Sequence, residues 1–347
     1  MLPFRLPLLL LPGLLLAAGL GFRNEQPGAL AQQKPAEIGV YSGRHYNTDK
    51  ELYRQFTART GIRVKLLEGK DDALIERLRS EGKDSPADVL VLVDAARLDR
   101  ASDMGLFQPT RSTTLLRDVP VNLRDSRNRW FGLTRRARVV VVNPKLVNPA
   151  TIRTYADLAR PALKGKLCLR DSKSVYNQSL VAAQLILRGE AATRSWVRGM
   201  VANAKQPFFT SDTPLARAVG RGECGVGLVN TYYVARMLSG EGGGADQAAA
   251  RNLKVVFPQP THVNISGAGV TASSRNVAAA TQLIEFLASP SGGKGYAEAN
   301  NEYPLKGYGG NRTLNLWGPF QSEGISAEQM GSRNRAAEQL MQEGGWR

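Results

Sequence analysis

Histidine is scarce in this chain of 347 residues, with His45 and His262 the only two. No Ser/His/Asp set can be drawn from them, and no G-x-S-x-G elbow occurs, so the hydrolase signatures are missing. Cysteine is as sparse. A metal site on Cys168 and Cys224 alone finds no His near either residue, and a catalytic thiol stays open only if a thiol count finds them unpaired. No Lys/Arg tract with interleaved aromatics occurs. The basic residues are scattered, so the net charge of +16 draws anions and acidic surfaces without the footprint of a nucleic-acid binder. No internal repeat at a fixed period stands out, and beyond the N-terminus no second long apolar run follows.

The N-terminus itself is different. "MLPFRLPLLLLPGLLLAAGL" has one early Arg, a leucine-rich run and then small residues, and "GALAQQ" offers an A-x-A-like site at Ala29-Leu30-Ala31. This reads as a secretory signal peptide over residues 1–31, with cleavage before Gln32. The run holds a Pro and is short for a span, which makes a retained anchor the weaker alternative. No Cys near the cleavage point supports a lipoprotein anchor, and the leader has no twin-Arg pair. Removing the leader takes away Arg5, Arg23 and Glu25 and leaves +15. The mature chain is then expected in an exported compartment, most simply a bacterial periplasm. Its two Cys could pair there if the strand-like runs "GKLCLR" and "GECGVGLVN" are neighbours.

With 42% hydrophobic and 22% charged residues the composition is globular, and the length suits two domains. From residue 36 strands and helices alternate. "EIGVYSG" is an apolar strand. "TDKELYRQFTARTG" is a helix that Asn47 or Thr48 can cap and Gly61 can close. "IRVKLLEG" alternates with period two, "DDALIERLRSEG" is helical, "ADVLVLVD" is apolar throughout and "AARLDRASDMG" is helical again. This βαβαβα series predicts an α/β class with a mostly parallel sheet.

The pattern restarts after "WFGLTRRARVVVVNP". It continues with a short helix at "TYADLA" and a strand at "GKLCLRDS". Helices follow at "NQSLVAAQLILRG", "AATRSWVRGMVANA" and "TPLARAVGRG". "CGVGLVN" is a strand, "YYVARMLS" a helix, "GEGGGADQAAA" an exposed loop and "LKVVFP" a strand. Two helix-like segments, "NVAAATQLIEFLAS" and "GGKGYAEAN", come next, and a polar helical tail closes the chain. Two lobes are expected, with chain crossings near 134–140 and 262–270. A cleft between such lobes is a natural ligand site, because α/β sheets bind at the carboxyl ends of their strands.

Tyrosine recurs at the places such a cleft would use. His45 and Tyr46 follow the first strand, Tyr176 follows "KLCLR", and Tyr232 and Tyr233 follow "GVGLVN". Each lies in a strand-to-helix connection. A phenol is a poor metal ligand while protonated, but a highly charged hard cation favours its anion. Several phenolates suit Fe(III), whereas zinc prefers Cys and His, and calcium prefers carboxylates and carbonyls. Four phenolates carry one charge more than Fe(III), so a nearby cation would help, with Arg135, Arg136 and Arg236 as candidates. The chain has ten Tyr in all, however. Tyr is often a half-buried packing residue with a hydrogen-bonded tip, and on spacing alone both readings stay open.

The sequence resembles the periplasmic ferric-iron-binding proteins of bacterial ABC importers, the cyanobacterial type in particular. The resemblance spans residues 36–311 and rests on six motifs in family order. These are "VYSGRHYNTD", "ADVLVLVDAARL", "WFGLTRRARVVVVNP", "LKGKLCLRDSKSVYNQSLVA", "GECGVGLVNTYYVARM" and "NEYPL". It implies a two-lobed periplasmic-binding-protein fold of type II, with a hinge and an interlobe cleft. It implies His45 and Tyr46 as first-lobe ligands of Fe(3+) and Tyr176, Tyr232 and Tyr233 as second-lobe ligands. It places an Arg of "TRRAR" near the metal, here Arg136, alongside Arg236. Some members fill ligand positions with carbonate or another anion, so His45 or Tyr46 could stay outside the coordination shell.

The expected organisation is a first lobe of residues 32–137 plus 268–311, a second lobe of 138–267, and a C-terminal helical tail of 312–347. The expected role is non-enzymatic: capture of Fe(III) by a monomer and delivery to an ABC permease, its only tie to the membrane. The rival is the same binder with another cargo, an anion or a small organic molecule. An adhesive exported protein would leave the Tyr unrelated to one another.

Overall fold

The computed structural model describes residues 36–44, 47–308 and 311–347, together with Met1 and Pro3. The leader over 1–31 lies outside the described residues but for those two, and so do His45 and Tyr46. Eight strands are described: β1 (Glu37–Ser42), β2 (Arg63–Glu68), β3 (Val89–Val93), β4 (Phe131–Val142), β5 (Leu167–Cys168), β6 (Val226–Asn230), β7 (Lys254–Val256) and β8 (His262–Val270). They join in the order β2-β1-β3-β8-β4-β6-β5, with β7 on β4. Among the described residues no helix is long and apolar enough to cross a membrane.

The expectation of a mostly parallel sheet needs correction. β1 runs parallel to β2 and β3, and β5 runs parallel to β6. The pairs β3–β8, β4–β8, β4–β6 and β4–β7 are antiparallel. The local βαβ pattern is right at either end, where a helix separates each strand from the next. It is silent about β4 and β8, which are long crossing strands. They carry the segments 134–140 and 262–270, and they lie side by side from Phe131↔Ala268 to Arg138↔His262. β4 then leaves β8 and pairs with β6 from Arg138↔Asn230 onward, so β8, held on β3, and β4, held on β6, together link the two ends of the sheet.

Period two on β4 divides the core. Val140 and Val142 enter the larger cluster with Ile38, Leu90 and Leu228. Val139 and Val141 face a smaller one with Leu215, Val219, Val229 and Met237. Arg135, Arg136 and Arg138 sit in the middle of this strand, so the same alternation puts Arg136 and Arg138 on one face and Arg135 on the other.

The helices follow the sequence pattern closely. Asn47–Thr60, Asp71–Glu81 and Ala95–Asp103 fill the first three expected positions. The helix Val175–Asn203 breaks at Gly189, whose φ of 75° marks the boundary that the sequence places between two helices. One expectation fails. "GEGGGADQAAA" is not a loop throughout, because Gly244–Arg251 is helical. Its signal is weak because it has no Leu, Ile or Phe. It is held by Arg217, whose Nε donates to Asp246 at 2.5 Å, and by Ala249 against Gly220, where a Cβ would fall 2.2 Å from the Ala249 carbonyl oxygen. The tail is helical at Arg312–Trp317, Ala327–Ser332 and Asn334–Glu343.

Candidate metal site

Buried strand β6 runs directly into the helix Thr231–Ser239, which places Tyr232 and Tyr233 in its first turn. Tyr176 is the second residue of the helix Val175–Asn203, entered through a turn in which the Ser174 amide donates to the Asp171 carbonyl at 3.2 Å. The two helix starts meet. The Tyr232 hydroxyl donates to the Tyr176 hydroxyl at 3.1 Å, and the Tyr232 and Tyr233 rings lie 4.2 Å apart between centroids. Tyr232 is buried, while Tyr176 and Tyr233 are half-buried.

Four other tyrosines serve packing. Tyr53, Tyr155, Tyr296 and Tyr303 are buried in the core, and burial pushes each of their hydroxyls above its ordinary pKa. Their positions answer to the core.

Three guanidiniums face the Tyr176 ring. Arg136 lies 5.2 Å from its centroid, Arg170 5.4 Å and Arg138 5.9 Å. All three are held by carboxylates. Arg136, 1% exposed, pairs with Asp94 at 3.2 Å. Arg138 pairs with Asp212 at 2.6 Å and donates to Asn177 at 2.7 Å and Asn230 at 3.3 Å. Arg170 reaches the other oxygen of Asp212 at 3.4 Å. Burial works to lower the pKa of Arg136, but Asp94, then Tyr176 and Tyr232, raise it above the ordinary value. Arg170 follows the same pattern, with burial opposed by Asp212, then Tyr233, Tyr176 and Tyr232. Arg236 lies 6.0 Å from the Tyr232 ring and pairs with Glu241 at 3.5 Å. Arg135 is turned away. It binds the Pro304 carbonyl at 2.7 Å and the Gly307 carbonyl, on the opposite face of β4.

Asp94 ties the far end of β3 into the same region. Its φ of 96° is a conformation that costs a non-glycine residue about 1–3 kcal/mol, and its bonds offset that cost. Its carboxylate accepts from Arg136, from Asn264 at 2.9 Å, from Ser179 at 2.5 Å and from the Ala96 amide at 3.1 Å. Ser179 belongs to the helix that carries Tyr176, so one buried acid joins both ends of the sheet.

The described residues on either side of His45 and Tyr46, Arg44 and Asp49, are tied together. Arg44 is buried and pairs with Asp49 at 3.0 Å and with Glu302 at 2.6 Å. Cys168 and Cys224 form a buried disulfide with a Cα separation of 5.9 Å, beside the pairing Leu167↔Val226 of neighbouring strands.

Sequence reasoning missed Arg138, Arg170, Asp94 and Asp212. A signal existed for the first, because alternation along "TRRAR" places Arg138 on the face of Arg136. None existed for the others, which reach the site only through tertiary packing.

A mixed sheet with two ends, joined by two crossing strands and lined by polar groups at the helix starts, is the two-lobed periplasmic-binding-protein fold of type II. The chain belongs to the bacterial extracellular solute-binding protein family, which it matches over residues 42–294. It is 43% identical to iron uptake protein A1 of Synechocystis, over 96% of this chain and 93% of that protein. It is 30% identical to the major ferric iron-binding protein of Neisseria meningitidis serogroup B, over 78% of this chain and 81% of that one. The Trichodesmium IdiA/FutA protein in complex with iron and citrate superposes with a TM-score of 0.85 at 42% identity, covering 90% of this chain and all of the other. These relatives carry the names of iron-uptake and ferric-iron-binding proteins and not of enzymes.

Proposed function

We propose that this protein captures Fe(III) between its two lobes through tyrosine phenolates and delivers it to an ABC permease. The observation that carries the proposal is the meeting of the Tyr232 and Tyr176 hydroxyls at 3.1 Å, with the Tyr233 ring 4.2 Å from that of Tyr232 and tilted against it. Two phenols that share a hydrogen bond are two oxygen donors already brought to one point. The charge balance supports the same reading. Three guanidiniums and two carboxylates leave one positive charge beside the tyrosines. Four phenolates around Fe(III) would carry one negative charge, so the two offset each other.

In this reading Tyr176, Tyr232 and Tyr233 are ligands from the second lobe, residues 138–267. Tyr46, with His45 as a further candidate, completes the set from the first lobe, residues 32–137 plus 268–311. Closure then couples binding to a two-state motion. The surplus charge comes from Arg138 and Arg170, which share Asp212, while Arg136 and Arg236, each paired with its own carboxylate, flank the tyrosines without touching the metal. Opening, together with protonation or reduction, releases the ion, because phenolate ligands must lose their protons to bind. The protein works as a monomer in the periplasm, after removal of residues 1–31, and meets the membrane through its permease.

Fe(III)-loaded protein should show a visible phenolate-to-iron charge-transfer band. Tyr232→Phe and Tyr233→Phe should each diminish it and weaken retention. An unchanged spectrum in both variants removes these residues from the site. The cluster of Arg136, Arg138 and Arg170 supports a second reading, a small anionic cargo, and metal analysis of the purified protein distinguishes the two.

A further inference from the structure

The last residues of the chain approach the tyrosine site from behind. The helix Asn334–Glu343 packs along Val175–Asn203, and a Cβ on Gly344 would fall 2.5 Å from Cγ1 of Val197. Gly345 then adopts a φ of 79° and turns the chain back. The Gly345 amide donates to the Gln342 carbonyl at 3.0 Å and the Trp346 amide to the Met341 carbonyl at 2.9 Å, the paired bonds of a Schellman closure. This closure seats the Trp346 indole in full burial, with Nε1 donating to the Arg170 carbonyl at 2.7 Å. One residue on, the Arg347 carbonyl accepts from the Ser172 amide at 3.2 Å.

These two bonds grip the backbone of the turn that leads into Tyr176. Arg170 is also one of the guanidiniums over the Tyr176 ring, and the Ser172 carbonyl accepts at 2.9 Å from Gln178, in the first turn of the helix that carries Tyr176. We propose that Trp346 and Arg347 are positioning residues for Tyr176, holding turn 170–174 so that the phenol points at its partners. The proposal rests on the Fe(III) reading given above.

The test uses the full chain carrying Trp346→Phe, which keeps an aromatic ring and removes the N–H donor, and a second variant lacking Arg347. Hydrogen exchange of residues 170–176 in iron-free protein should rise in both. Release of Fe(III) to a chelator should accelerate about fivefold, the factor one hydrogen bond of ordinary strength supplies. In a Tyr176→Phe background Trp346→Phe should add nothing to the release rate, because the ligand it positions is gone. Unchanged exchange at 170–176 overturns the proposal. So does raised exchange with an unchanged charge-transfer band and release rate, or full additivity with Tyr176→Phe. If the unmodified protein shows no band at all, the Fe(III) reading falls and takes the ligand role of Tyr176 with it. The exchange experiment still reports whether the tail holds the turn.

Discussion

Asp212 shows most clearly how single side chains support the site. It is fully buried at the first turn of the helix Asp212–Gly220, where it accepts from Arg138, from Arg170 and from the Asn230 amide at 2.9 Å. Asn230 is the residue just before the helix of Tyr232 and Tyr233. Removing one partner of a buried ion pair strands the other charge, which costs about 3–5 kcal/mol. Asp212→Ala should therefore lower stability by roughly that amount in denaturant unfolding and should weaken iron retention. A loss under ~1 kcal/mol would mean that Arg138 finds water or another acceptor. At this scale the sequence is half legible. Tyr176, Tyr232 and Tyr233 stand out because residues at strand-to-helix connections advertise themselves by position. Asp94 and Asp212 do not, because a carboxylate at a helix start reads as a cap and its long-range partner leaves no local mark.

Between elements, the docking of Ala327–Ser332 onto Ala95–Asp103 carries an electrostatic cost. Gly331 admits the contact, since a Cβ there would fall 2.6 Å from Cβ of Asp99. Burial, then the like charges of Asp103 and Glu328, push the Asp99 carboxyl up to about 6, with Arg129 opposing and Asp125 adding to the rise. A carboxyl raised in the folded state favours folding while it is protonated. That contribution is complete below the ordinary value of 3.8 and is lost as pH rises through about 6. Asp99→Asn should raise stability at pH 7–8 by about 1–3 kcal/mol relative to the native chain, and the gain should vanish near pH 4. Thermal unfolding of both proteins across that range checks the sign, and equal stabilities at every pH would refute it. β3, apolar throughout, and the helix Ala95–Asp103 were legible in the sequence. The helix Gly244–Arg251 was not, because its packing uses Ala and Gly and leaves no apolar stripe. The direction of β4 and β8 was not legible either, since alternation reports a strand and never its partner.

At the scale of the whole molecule, two crossing strands, one disulfide and a C-terminal tail hold together a scaffold whose polar centre lies where helix starts from two connections converge. The tail touches both ends of that scaffold, through Ala327–Ser332 on Ala95–Asp103 and Asn334–Glu343 on Val175–Asn203. Six motifs in order made the family legible from the sequence. The tail made no such contribution, because its contacts to Arg170 and Ser172 join residues more than 170 positions apart. The most direct test is a crystal grown with Fe(III) and measured at the iron absorption edge. One anomalous peak within bonding distance of the Tyr176, Tyr232 and Tyr233 hydroxyls is expected. A peak elsewhere on the molecule, or an anion against the three guanidiniums with no iron beside it, would contradict the proposed role.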